Sequence, residues 1–312
     1  MCAIRSDMEG TEKPFVAFAP LQGYTDCVYR RAHSEVAGGV GEYYTPFVRM
    51  EGGEPRRKDL RDIDLGRNGG VPTVPQVIAR DRDEFARLCD AVQAAGWRRV
   101  DLNMGCPFPM QVKAGRGSGL LASAERVAAI GEEMKQRSEV RFSVKMRLGQ
   151  EDAEECMRLL PILNELPLEH VTMHPRLGKQ QYKGVPDKDA FGRFVEGCRQ
   201  RVVYNGDLLS VEDVAEVMQR WPMLKGVMMG RGLLARPWML SGKEPQTVVQ
   251  EMHTRVYEHV CSVLQGDSQI LARLHAFWEY QTALLDKKQY KAIMKSGSLR
   301  NYRAAIAALK WC

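Results

Sequence analysis

The chain has 312 residues, 44% of them hydrophobic and 27% charged, with a formal net charge of +6. This is the composition of a folded soluble protein with room for a large core, and it excludes intrinsic disorder. No apolar run approaches the ~20 residues of a membrane span. Met1–Lys13 is polar with mixed charge, so neither a membrane anchor nor a secretory leader is expected, and the cytoplasm is the default compartment.

Phe15 to Ala19 is a short apolar run that predicts a first strand, followed by a helix over 25–36 with Thr25 or Asp26 as its N-cap. Tyr43 to Val48 reads as a second strand, and the charged, glycine-rich stretch Glu51–Gly70 as a surface connection. Strands follow at 73–79, 99–103, 141–147, 169–174, 201–205 and 224–229, with helices at 81–95, 123–137, 152–163, 187–199 and 211–219 between them. Eight strands alternating with helices predict an α/β chain. The expected form is a (β/α)8 TIM barrel over 1–243, with an open doubly wound sheet as the alternative. Beyond about Ser241–Pro245 no strand is apparent. Helices at 247–264, 270–285 and 288–309 predict a small all-helical C-terminal domain over 244–312.

The eight cysteines (Cys2, Cys27, Cys89, Cys106, Cys156, Cys198, Cys261 and Cys312) contain no Cys-x-x-Cys pair, which argues against zinc, iron–sulfur clusters and a disulfide framework. No metal is expected. Most of these thiols read as buried fillers. Cys106 is different: it sits between Gly105 and Pro107 at the end of the fourth strand, where barrel enzymes keep their chemistry. Other polar residues fall at equivalent strand ends: Pro20, Leu21 and Gln22 after the first, Gln76 in the third, and Asn103 in the fourth. Lys145 and Arg147 lie in the fifth, His174 and Arg176 end the sixth, Asn205, Gly206 and Asp207 the seventh, and Gly230 and Arg231 the eighth.

Glycine turns after the seventh and eighth strands are where such barrels hold phosphate on backbone N–H groups, and Arg231 adds a charge there. Lys145 inside a strand needs an anionic or electron-rich partner, such as the N1–O2 edge of a reduced flavin. Gln76 suits the amide-like edge of the same ring, and His174 a ring edge or a phosphate. Taken singly, Gln76 could only satisfy backbone groups and His174 could be a core residue; together they describe a ligand site. The Gly-x-Gly-x-Gly at 115–119 follows the cysteine loop rather than a bare strand, so it is read as a flexible basic approach to substrate and not as a dinucleotide fingerprint.

The segment Asp101-Leu102-Asn103-Met104-Gly105-Cys106-Pro107-Phe108-Pro109, with Lys113 and the run ending Leu120-Leu121, resembles the FMN-dependent tRNA-dihydrouridine synthases of bacterial type. The segments 19–26, 144–149, 174–176, 205–207 and 230–234 extend the resemblance in order over roughly Phe15–Leu240, with a looser match in the helical tail. Loops of that family often carry His-Gly-Arg-Thr where this chain has His174-Pro175-Arg176-Leu177. The resemblance implies FMN held by Pro20, Leu21, Gln22, Gln76, Lys145, His174, Asn205, Gly206, Asp207, Gly230 and Arg231. It also implies NADPH as reductant and Cys106 as the proton donor that completes reduction of the C5=C6 bond of a tRNA uridine. A thiol of pKa ~8.5 stays mostly protonated near neutral pH and can serve as that acid.

From Lys287 to Cys312 there are seven basic residues and no acidic one, which suits a phosphate backbone. Candidate tRNA contacts are Asn103, Lys113, Arg116, Arg147, Arg176 and Tyr182 around the barrel mouth, and Lys288, Lys291, Lys295, Arg300 and Arg303 on the tail. A monomer is expected. Two other functions compete: an FMN-dependent dehydrogenase of free pyrimidines, of the dihydroorotate or dihydropyrimidine kind, and an RNA-binding barrel that has lost catalysis.

Overall fold

Along each strand the side chains alternate between an outward apolar set and an inward set that is small or polar, as a barrel with a ligand at its mouth requires. In the computed structural model, which describes residues 14–311, eight parallel strands carry this pattern. They are β1 (Phe15–Phe18), β2 (Glu42–Tyr44), β3 (Thr73–Val74 and Gln76–Val77), β4 (Arg99–Met104), β5 (Arg141–Gly149), β6 (Leu168–Leu177), β7 (Val202–Tyr204) and β8 (Gly226–Met229). The polar stretch Met1–Lys13, with Cys2 in it, and Cys312 lie outside the described residues.

The sheet closes because each half of β3 has its own neighbour. Thr73 and Val74 pair with Tyr43 and Tyr44 of β2, whereas Gln76 and Val77 pair with Asp101 and Leu102 of β4. Pro75 separates the halves, since it has no N–H for the ladder. Pro46 ends β2 earlier than the predicted Val48 for the same reason: Thr45 Oγ1 accepts the Gln76 N–H at 3.0 Å, and Val48 rejoins only through a bridge to Val77. At the other side of the barrel Phe15 is in register with Gly226, and Phe18 with Met229.

Val100, Leu102 and Met104 of β4, Phe142, Val144 and Met146 of β5, and Val171 and Met173 of β6 join the main apolar cluster beneath the helices. Inside lie Asp101, Asn103, Ser143, Lys145, Thr172 and His174, with a small apolar cluster of Ala17, Ala19, Tyr44, Val74, Val203 and Met228. The outer helices start where their caps dictate. Asp26, rather than Thr25, accepts the Tyr29 N–H, while Thr25 Oγ1 takes the Leu21 N–H at 2.8 Å. Asp81, Ser123, Asp187 and Ser210 cap later helices.

The stretch 51–70, expected as plain connection, holds a hairpin of Met50–Glu51 with Glu54–Pro55 and two short helices, Arg57–Asp62 and Leu65–Asn68. It is anchored from inside: the buried Arg30 donates to Asp62 Oδ2 at 2.9 Å and to Asn68 Oδ1 at 2.7 Å.

The tail forms helices Pro245–Val263, Asp267–Trp278, Lys287–Met294 and Leu299–Ala307. The single helix predicted over 288–309 breaks at Ser296–Ser298, where Ser298 caps the last helix by accepting the Asn301 N–H. Tyr302 is the hub of this unit, with its hydroxyl 2.7 Å from both His253 Nε2 and Trp278 Nε1. The tail packs on the barrel through the same apolar cluster that underlies the outer helices. Polar contacts reinforce it, with Arg273 paired to Asp26 at 2.8 Å and Gln281 donating to the Leu234 carbonyl at 2.6 Å.

Candidate active site

The loops after the C-terminal ends of the strands surround one open cleft. Every residue expected to hold a cofactor lines it: Pro20–Gln22, Gln76, Lys145, His174, Asn205–Asp207, Gly230 and Arg231. So do Cys106, Asn103, Arg147 and Tyr182. Sequence reading missed Pro46, Phe47, Leu208, Leu209 and Met228, which add apolar wall. Their only signal was position at a strand end, because nothing in their chemistry marks them.

Cys106 is held by its backbone. Asn103 Oδ1 accepts the Cys106 N–H at 2.8 Å and the Gly105 N–H at 3.0 Å, and the Cys106 carbonyl accepts from Ser118 N at 3.0 Å. The glycine run expected to be a flexible gate is instead packed beneath this loop. Gly117–Leu120 is a single 3-10 turn, and Gly117 and Ser118 are buried. Gly117 has φ +59°, and a Cβ there would lie 2.5 Å from the Cys106 carbonyl oxygen. Gly117→Ala therefore adds left-handed strain of about 1–2 kcal/mol and pushes the cysteine loop. The expected result is a lower melting temperature and a severalfold change in the rate at which iodoacetamide alkylates Cys106; an unchanged rate would count against the buttress.

Cationic side chains dominate the rest of the cleft. Lys145 Nζ has no hydrogen-bond partner among the described residues; burial, with Arg147 adding to it, pulls the ammonium down to about 8 against the pull of Asp101 and Cys106. Burial also pulls Arg147 down to about 10. Its guanidinium donates to the Gly105 carbonyl at 2.8 Å and to the Leu177 and Gln181 carbonyls at 3.0 and 2.8 Å, bracing the loops after β4 and β6 together. Burial and the surrounding cations hold His174 well below its ordinary range, so it is neutral. Arg176 Nη1 can only donate to His174 Nε2 (3.1 Å), which leaves the ring proton on Nδ1. Burial pushes the Cys106 thiol up, an effect opposed by the Phe108 backbone N–H, Arg147 and Lys145.

Asp207 organises the wall formed by β7 and β8. It adopts φ +41° and accepts from Arg176 and, at 2.8 Å, from Arg231. Burial alone would raise its carboxyl, but the two guanidiniums outweigh that and hold it low. Tyr182 lies against both Arg147 and Arg231, whose guanidinium carbons are 5.6 and 4.7 Å from the ring centre. Asn205 Nδ2 is committed to the Met228 carbonyl at 2.7 Å, tying β7 to β8.

Two of the candidate RNA contacts are engaged within the protein. Arg176 is not at the rim: β6 runs on to Leu177, so Arg176 points inward, is 1% exposed, and bonds Asp207, His174 and the Gly184 carbonyl. Arg116 is paired through Nε and Nη2 with both oxygens of Glu84, its side chain 15% exposed, so its charge is already answered. Lys113 is exposed beside the cysteine loop, and Lys288, Lys291, Lys295, Arg300 and Arg303 are exposed on the last two helices.

A closed (β/α)8 barrel with a thiol, an unpartnered lysine and glycine turns around one C-terminal cleft defines a cofactor-using barrel enzyme. The dihydrouridine synthase family model matches residues 17–310, and the chain belongs to that family, whose members are flavin-dependent oxidoreductases. A probable tRNA-dihydrouridine synthase of Rickettsia conorii is 26% identical over 292 residues, covering 88% of this chain and 87% of the relative. The tRNA-dihydrouridine(16) synthase of Ralstonia nicotianae is 30% identical over 232 residues, covering 71% and 70%. Among solved structures, histamine dehydrogenase from Rhizobium sp. 4-9 superposes with a TM-score of 0.55 at 14% identity, covering 78% of this chain and 49% of that one. Morphinone reductase gives 0.52 at 10% identity, with 75% and 88% covered. These two share the fold.

Proposed function

We propose that the protein reduces the C5=C6 bond of uridines in tRNA, with FMN in the barrel cleft and NADPH as the reductant. The observation that carries this reading is the placement of a thiol kept protonated, Cys106, in the same cleft as the partnerless ammonium of Lys145. The donor set fits a flavin mononucleotide. Lys145 suits the electron-rich N1–O2 edge, Gln76 has a second N–H beyond the one given to Asp101, and His174 offers Nδ1–H. Gly206, Gly230 and Arg231 suit the phosphate. When bound, FMN supplies the hydride that adds to C6 of the uracil. Cys106 then gives its proton to C5, and Asn103 and Ser118 hold that thiol's backbone still while it does so.

A uridine within folded tRNA must leave its stack to reach a cleft at the bottom of such loops. The exposed cations Lys113, Lys288, Lys291, Lys295, Arg300 and Arg303 support a role in gripping the phosphate backbone. Charge reversal of the five tail residues is expected to weaken tRNA binding. Each lost phosphate contact should flatten the dependence of log K on log salt by about 0.7–0.9. Unchanged affinity and slope would remove the tail from the RNA surface.

Mapping dihydrouridine in tRNA from a strain lacking this gene tests the whole reading. Loss of the modification at a defined position, restored by the wild-type gene and not by Cys106→Ala, is the expected result; an unchanged map overturns it. A purified protein that is colourless and takes up no added FMN would favour an RNA-binding barrel without catalysis.

A further inference from the structure

Asp101 is completely buried (0% exposed) in the barrel interior, and nothing in the chemistry above uses it. Its carboxylate accepts the Ser143 hydroxyl and one Gln76 Nε2–H, each at 2.6 Å. Burial raises its carboxyl to about 6, against the stabilising bonds from Ser143 and Gln76 and the charge of Lys145; with a donor aimed at each oxygen, it acts here as an acceptor. That asymmetry travels. Gln76 must turn its nitrogen toward Asp101, so its Oε1 faces Asn103 and accepts the Asn103 Nδ2–H at 2.7 Å. Asn103 must in turn aim its Oδ1 at the cysteine loop, where it accepts the Gly105 and Cys106 N–H groups.

An amide side chain is nearly symmetrical in shape, and either orientation fits the same space. With both amides reversed, the Asn103 NH2 would face two backbone N–H donors and release the loop. Of the groups in this chain, Asp101 and the two backbone N–H groups have a fixed polarity, and Asp101 is the buried end. We propose that Asp101 is a positioning residue that sets the orientation of the Gln76 and Asn103 amides and, through them, holds the Cys106 thiol over the cleft. This rests on Cys106 being the proton donor. It also leaves each amide with one further N–H, so the cleft floor presents donors to whatever ring edge lies on it.

The test compares Asp101→Asn, Asp101→Leu and the smaller Asp101→Ala with Cys106→Ala, in the flavin-loaded enzyme. Three steps are read separately: flavin affinity, flavin reduction by NADPH, and reoxidation of the reduced flavin by tRNA. Asn can still accept from Gln76 but can also turn the other way, so Asp101→Asn should lose less than Leu or Ala. Leu and Ala remove the acceptor, and reoxidation by tRNA should slow roughly 10–100-fold, well beyond any loss in flavin affinity or reduction by NADPH that follows from releasing Gln76. The rate of Cys106 alkylation by iodoacetamide should change in the same two variants and less in Asp101→Asn. Should Asp101→Leu fail to fold, Asp101→Ala carries the comparison. Equal losses in Asn and Ala would make the charge beside Lys145, not the acceptor, the working feature, and overturn the proposal. So would normal reoxidation in flavin-saturated Ala, or a slowing no greater than that of flavin reduction by NADPH. If Cys106→Ala itself reoxidises normally with tRNA, the proton-donor reading fails; if it does not while Asp101→Ala does, only the relay fails.

Discussion

Replacing Cys106 with alanine is expected to lower dihydrouridine formation by roughly 10²–10⁴-fold, the range that a positioned general acid contributes, while leaving flavin binding and flavin reduction intact. The separation is expected because the loop does not depend on the sulfur. Asn103 and Ser118 hold the backbone N–H and carbonyl of residue 106, and Gly117 fills the space beneath it. None of the groups that would meet the flavin bonds to the thiol. Serine should do little better than alanine, since its hydroxyl is a far weaker acid. The sign of the pH dependence also follows. Burial raises the thiol above its ordinary value, so the reactive protonated form persists through neutral pH and the proton-transfer step is lost only as pH climbs through that raised value. Single-turnover reoxidation of reduced flavin by tRNA, followed against pH, measures both effects. Loss of flavin colour in Cys106→Ala would assign the thiol to cofactor binding instead.

Much of this was legible in the order of residues, and the parts that were not have a common cause. Strands alternating with capped helices gave the barrel, and polar residues at strand ends gave the cleft, because both are local patterns along the chain. What local pattern cannot show is which polar groups answer each other across the barrel. Asp101 meets Gln76 from 25 residues away and Ser143 from 42. In the sequence it opens the cysteine segment, with nothing to show which groups it meets. Arg176 falls past the predicted end of the sixth strand, which places it at the barrel mouth, yet the length of β6 turns it inward onto Asp207. The run at 115–119 looked mobile because it is rich in glycine; here Gly117 is required by the close approach of the Cys106 carbonyl. The breaks at Pro46 and Pro75 were visible as residues, but whether a proline ends a strand or splits it depends on the neighbour's donors.

Lys145→Met is the sharper test of the cofactor site, because it should move stability and binding in opposite directions. Lys145 reaches about 8 where an ordinary lysine has 10.5, so in the folded, flavin-free chain its charge is disfavoured. The unfolded chain then binds more protons than the folded one between those values, and stability should rise with pH through that interval. Below about pH 8 the buried charge costs stability on the order of 2 kcal/mol, tempered because Nζ still borders the open cleft. Methionine fills similar space without the charge, so the flavin-free variant should melt higher at pH 7 and lose the stability gain between pH 8 and 10. Wild type recovers that cost only when an electron-rich or anionic edge meets the ammonium. Flavin affinity should therefore fall about 10–100-fold, the scale of losing a charge-assisted hydrogen bond of 1.5–3 kcal/mol. Calorimetry of the flavin-free proteins at pH 7 and pH 10, beside flavin titrations, separates the two effects. A variant that is less stable at pH 7 and binds flavin like wild type would mean that Lys145 answers Asp101 within the barrel rather than a ligand above it.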